Sequence, residues 1–119
     1  MTMTDKRQHP RINSLNLISY VCIDETDTDV IQGMGRTLNV SQGGILLETH
    51  IRIDPKHTLS LTIGLEEDLV DIKGEVAHSK PGKDNNFETG IHFFETDEET
   101  LRVLNKYIKA FKEQFKSTP

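Results

Sequence analysis

The chain has 119 residues, enough for one domain with a single core. Its 14 Lys and Arg against 19 Asp and Glu leave a formal net charge of −5, which argues against broad, sequence-independent binding of DNA or RNA, because that needs a basic surface. No apolar run reaches the length of a membrane span, no apolar h-region follows residues 1–4, and Cys22 is alone, so the expectation is a cytoplasmic protein with no membrane insertion, no internal disulfide and no cysteine-based zinc site.

Residues 1–14 are polar and read as a flexible arm. Positive charge concentrates there, with Lys6, Arg7, His9 and Arg11 inside six residues, which on an acidic body suits one compact anion. Arg7 and Arg11 stand four apart, but Pro10 drives His9 toward extended backbone, so the pair does not form a helical face.

From Leu15 the pattern becomes β. "LNLISYVCI" (15–23) sets Leu15, Leu17, Ser19, Val21 and Ile23 on one face and Ile18, Tyr20 and Cys22 on the other, so both faces are expected to be partly covered, with Cys22 a buried strand thiol. An acidic connection at 24–29 leads to a second strand over 30–41 and a third over 44–48. Pro55 and Lys56 mark a turn, after which 58–64 alternates Leu59, Leu61 and Ile63. A fifth strand over 69–79 puts Val70, Ile72, Gly74 and Val76 on one face; 80–86 has the composition of a hairpin loop, and 87–94 is the sixth strand.

The period then changes to helical. Over 96–115, Leu101, Leu104, Ile108, Phe111 and Phe115 fall at steps of three and four and form one stripe. Thr96 with Glu99 has the spacing of a capping box, and Asp97 and Glu98 suit the N-terminal dipole. The stripe's expected job is to cover an open end of the β core. Six short strands with no helix between them, followed by one helix, predict a mainly β fold: a six-stranded antiparallel barrel over 15–116 with a C-terminal α-helix.

One stretch interrupts this pattern. "NVSQGG" (39–44) places Asn39 and Ser41 two apart, on one face of a strand, and follows them with Gly43 and Gly44. The glycines permit positive φ and a close approach by a ligand, although Asn, Ser and Gly are also what a plain hairpin turn uses.

Arg-x-x-x-Arg at Arg7 and Arg11, followed by Asn-x-Ser-x-x-Gly at Asn39, Ser41 and Gly44, resembles the PilZ domain, a bacterial receptor fold for the second messenger cyclic di-GMP. The resemblance runs from about residue 5 to the C-terminus and takes in "GRTLNVSQGGILL", Gly90 to Phe93 in the last strand, and the closing helix. Many members carry Asp where this chain has Asn39; the family pattern permits both. The resemblance implies a non-enzymatic cyclic di-GMP receptor, with no cofactor, that presents a changed surface to an unidentified effector protein.

The chemistry of the residues agrees with that implication. Arginine is always charged, forks onto phosphate, pairs with guanine O6 and N7 in the same bidentate way and stacks on bases. An extended four-residue step spans roughly 13 Å, so Arg7 and Arg11 can grip different parts of one flat ligand. Asn39 would bond a guanine edge, Ser41 a phosphate or base nitrogen, and Gly43 and Gly44 would leave room. Lys6 either helps to hold a stacked ligand pair or is a solvated lysine.

Other readings fit less well. Asn39-Val40-Ser41 matches a glycosylation sequon, which has no bearing in a chain without a secretory signal. Ser41 lacks the first glycine of a nucleophile elbow, residues 24–29 lack the glycine and distal glutamate of a calcium loop, and the five histidines show no metal spacing. Two alternatives come from other classes. A ligand-independent PilZ-like adaptor would be marked by broken motifs, and both motifs are intact. A small barrel for single-stranded nucleic acid would need stacking aromatics and a basic groove, whereas this chain has no Trp and three of its seven aromatics fall on the helix.

Overall fold

The computed structural model describes residues 17–23, 31–65 and 67–116. Six strands follow one another: β1 (Leu17–Cys22), β2 (Gln32–Val40), β3 (Gly44–Thr49), β4 (Thr58–Leu65), β5 (Asp68–Pro81) and β6 (Phe87–Phe93). They close into a barrel in the order β1-β2-β3-β6-β5-β4, and every neighbouring pair is antiparallel. One helix, α1 (Glu98–Lys116), completes the chain. Closure leaves no open edge on which a second chain could add a strand.

The core is the set of inward positions that strand alternation dictates. Leu59, Leu61 and Ile63 of β4 and Ile45 and Leu47 of β3 all point inside. In β1 the register sends Ile18 and Tyr20 inward and leaves Leu17 and Ile23 outside, at 42% and 40% exposure. The larger apolar set of that strand is therefore its outer face. Cys22 is half-buried rather than buried, with Sγ 3.7 Å from His57 Nδ1. The acidic connection at 24–29 and Leu15 lie outside the described residues.

Both barrel ends are covered. At one end the β3–β4 connection inserts Ile53, which is fully buried and whose N–H donates to Ser79 Oγ at 3.2 Å. Ser79 Oγ meets Thr89 Oγ1 at 2.8 Å, Thr89 meets Thr49 Oγ1 at 2.9 Å, and Thr49 donates to Ile51 O at 2.8 Å. This chain of hydroxyls gives each buried oxygen a partner, as desolvated polar groups require.

Helix α1 covers the other end, packing on β4 and β5. Its buried face is Val103, Leu104, Tyr107 and Phe111, with Leu101 and Ile108 half-buried. The expected stripe was thus right in kind but missed Val103 and Tyr107, and the Phe115 side chain lies outside those described. The N-cap is Asp97, not Thr96: its Oδ1 accepts from Thr100 N–H at 2.8 Å, which holds the carboxyl below the usual carboxylate range. Glu99 turns instead to Arg102, with contacts of 2.6 and 3.2 Å.

Candidate functional site

Strand alternation alone would put the site residues in the wrong place. Along β2, Gly35 and Thr37 face inward, so Asn39 would follow them into the core. A β-bulge at Leu38 shifts the phase: the pairing jumps from Thr37↔Leu47 to Asn39↔Leu46, Val40 becomes the buried residue, and Asn39 turns out. Along β5 the same thing happens. Ile72, Gly74 and Val76 face inward, and the pairing then slips past Ala77, so that His78 turns out and Ser79 is buried. The two bulges aim two polar side chains at one patch of the outer wall.

That patch is an open cleft of about 400 Å³. One row across it runs Asn39↔Leu46↔Gly90↔His78, over four neighbouring strands, and the row beside it runs Gly44↔His92↔Glu75. Three strand spacings put the ends of the first row roughly 14 Å apart. Asn39, Ser41, Gly43 and Gly44 form one lip, and His78, Gly90 and His92 lie across the floor and the far side.

The turn at 41–43 is held by its own backbone. Ser41 N–H donates to Gly44 O at 2.9 Å, and Gly43 N–H donates to Ser41 Oγ at 3.3 Å. Asn39 Oδ1 accepts from Val40 N–H at 2.9 Å, which fixes the amide orientation and leaves the NH₂ donor as the group offered to the cleft. Asn39, Ser41, Gly43 and Gly44 are therefore brought together, as their spacing predicts.

The two glycines do a different job from the one expected. No glycine among the described residues has positive φ. A Cβ on Gly44 would run into the backbone oxygen of Ile91, so Gly44 is there to let β3 lie close on β6. A Cβ on Gly43 would meet nothing nearer than Ser41 Oγ, at 4.0 Å, so Gly43 keeps the lip low over the opening.

Sequence reasoning missed His78, His92 and Gly90. The histidines were weighed only as metal ligands, and the strand pairing that gathers them has no signature in the spacing. Among the described residues, no group of three or more His, Cys, Asp or Glu is placed to hold a metal. The described lining also holds no Lys, Arg, Asp or Glu. The charges expected from Lys6, Arg7 and Arg11 fall outside the described residues. The cleft is thus a neutral, flat-floored groove with hydrogen-bond donors on one lip and imidazoles on the other side. No helix among the described residues is long and apolar enough to cross a membrane.

The family model of the PilZ domain matches residues 5–110, nearly the whole chain and both of the short motifs. A comparison with curated proteins finds no match.

Proposed function

The chain belongs to the PilZ domain family, and from that premise we propose that it is a cytoplasmic receptor for cyclic di-GMP that alters its surface on binding and so signals to a partner protein. The observation that carries the proposal is the convergence of Asn39, Ser41, Gly43 and Gly44 on the lip of one open cleft, set there by the bulge at Leu38. The ligand is a flat, doubly anionic dinucleotide, and a shallow groove on the outer wall suits it better than a deep pocket would. The reading involves no catalytic step and no cofactor.

Asn39 offers its NH₂ to the acceptor edge of a guanine, O6 or N7. Ser41 offers its hydroxyl, whose contact with Gly44 O is long at 3.5 Å and easily exchanged for a phosphate oxygen. Arg7 and Arg11 supply the charge that the described lining lacks, with Lys6 as an auxiliary. Their reach is sufficient. Leu17 pairs with Arg36, three residues before Asn39, so the chain enters β1 at the end of the barrel that carries the site turn. Arg11 precedes Leu17 by six residues, a span of up to roughly 20 Å.

A route from site to surface follows from the helix. Gln42, at the middle of the site turn, donates to Asn105 Oδ1 of α1 at 2.7 Å, and Thr37 Oγ1 meets Tyr107 OH at 2.9 Å in the core. A ligand that moves the turn pulls on the helix, whose outer face around Lys109 and Glu113 is open to a partner.

Calorimetric titration of the full chain with cyclic di-GMP, with cyclic di-AMP in parallel, tests the reading. Saturable heat with the first and much weaker binding of the second is expected, because adenine carries an amino donor where guanine has O6. No saturable binding of cyclic di-GMP overturns the receptor reading, and equal binding of both overturns the guanine contact.

A further inference from the structure

We propose that His78 is a further ligand-binding residue of the cleft, its imidazole being the platform on which one purine base stacks. The inference deepens the cyclic di-GMP reading and rests on it.

The bulge past Ala77 turns His78 to the outer wall, and its Cα partner there is Gly90. The missing side chain of Gly90 is the seat of the ring. A Cβ built on Gly90 would collide with His78 Cε1 and would lie 2.8 Å from Nε2 and 3.0 Å from Nδ1. A Cβ approached along the ring plane through Cε1 would stand clearly farther from both nitrogens than from the carbon. Three ring atoms at nearly equal distance mean that the glycine meets the face of the imidazole. The ring therefore lies flat on the β6 backbone, which explains why Gly90 is buried on an outer wall. Its opposite face is turned to the cleft, and His78 itself is exposed.

A ring held flat on backbone is already in the orientation that stacking requires, so little freedom is lost when a base settles on it. The described lining contains no Phe, Tyr or Trp, and His92, the other imidazole, stands opposite Gly44 and Glu75 with no such seat recorded beneath it. Leu46 adjoins Gly90 in the same row and extends the platform with apolar surface. The row thus ends in a hydrogen-bonding group at Asn39 and a stacking face at His78, two complementary ways of holding a nucleobase.

The test is calorimetric titration of cyclic di-GMP into the full-length wild type, His78→Ala and His78→Phe, with circular dichroism and melting curves establishing that each variant is folded. Loss of the face is expected to weaken binding by about 5- to 150-fold in His78→Ala. His78→Phe keeps a face and drops the nitrogens, and is expected to stay within a few-fold of wild type. Wild-type affinity in His78→Ala overturns the assignment. A His78→Phe as weak as His78→Ala overturns stacking, since the ring would then act through its nitrogens. Failure of the wild type to bind at all overturns the receptor reading itself, which separates that failure from failure of the His78 assignment.

Discussion

Gln42 and Asn105 are joined by a hydrogen bond of 2.7 Å across 63 positions of sequence, and it ties the turn of the cleft to the helix that closes the barrel. Two positions on from Asn105, Tyr107 meets Thr37, two residues before Asn39, so the same helical stretch is also fixed to the strand that carries the site. The outer bond is exposed and the inner one buried. The outer one is the joint that can change without unpacking the core.

If this joint relays binding, Gln42→Ala should bind cyclic di-GMP nearly as the wild type does and lose at most about 1 kcal/mol of stability, the ordinary net worth of one exposed hydrogen bond. Amide exchange is the readout. In the wild type, ligand should slow exchange in α1, while β4, away from the cleft, should change little. In Gln42→Ala the helix should no longer respond. A helix that responds equally in both proteins removes Gln42 from the route.

The two glycines of the turn give a second prediction, because their surroundings differ. Gly44→Ala pushes a methyl group into the Ile91 carbonyl, which can be relieved only by parting β3 from β6. Overpacking of this kind costs about 1–3 kcal/mol, and a urea melt should show the loss as a lower midpoint. Gly43→Ala places its methyl group in open space with no positive φ to oppose it, so its melt should match the wild type. Any loss of ligand affinity in Gly43→Ala then reports on the lip alone.

The strands and the helix were legible because period two and period 3.6 are written directly in Leu59–Leu61–Ile63 and in Leu101–Leu104–Ile108–Phe111. Asn39, Ser41 and the glycines were legible because few residue types make that turn. The bulges were not. A bulge shows in sequence only as a slip of alternation, and between Val76 and Ser79 the slip passes through Ala77 and His78, neither of which is polar or apolar enough to announce it. His78 was invisible for the same reason: its importance comes from Gly90, twelve residues on and in another strand. Tyr107 was left out of the helical stripe because the aliphatic positions alone satisfied the spacing, yet it is fully packed beneath the helix. The purpose of Gly44 was misread because its neighbour, the Ile91 carbonyl, is a feature of register and not of composition.

The proposed clamp gives a third prediction. Arg7→Ala and Arg11→Ala should each remove a charge-assisted contact worth about 1.5–3 kcal/mol, or on the order of 10- to 150-fold in affinity for cyclic di-GMP. Lysine at either position keeps the charge and loses the fork, so it should restore only part of the loss. Far-UV circular dichroism should be unchanged, since the described core makes no use of either residue. Titrations in which both alanine variants match the wild type would leave the cleft without its clamp.

The helix is also pinned at its far side, and that contact depends on pH. Asp68, at the β4–β5 turn, accepts from Lys106 Nζ at 3.0 Å and lies 3.8 Å from Arg102. The hydrogen bond from Lys106, with the charges of Lys106 and Arg102, holds the Asp68 carboxyl below its ordinary value of 3.8. A carboxyl depressed in the folded state binds protons less readily there than in the unfolded chain, so it contributes stability above its ordinary value and loses that contribution as pH falls through the depressed one. Asp97 and Glu99, depressed chiefly by their hydrogen bonds with Thr100 and Arg102, act in the same direction and share the same acid limb. Stability should therefore be level from neutrality down to about pH 5 and fall below about pH 4. Asp68→Asn, measured by urea melts at matched salt, should start slightly less stable at pH 7 and fall less steeply between pH 4 and pH 2. Because these groups are exposed, high salt should flatten the wild-type limb toward that of the variant. Superimposable acid limbs for the two proteins at low salt would show that Asp68 does not pin the helix.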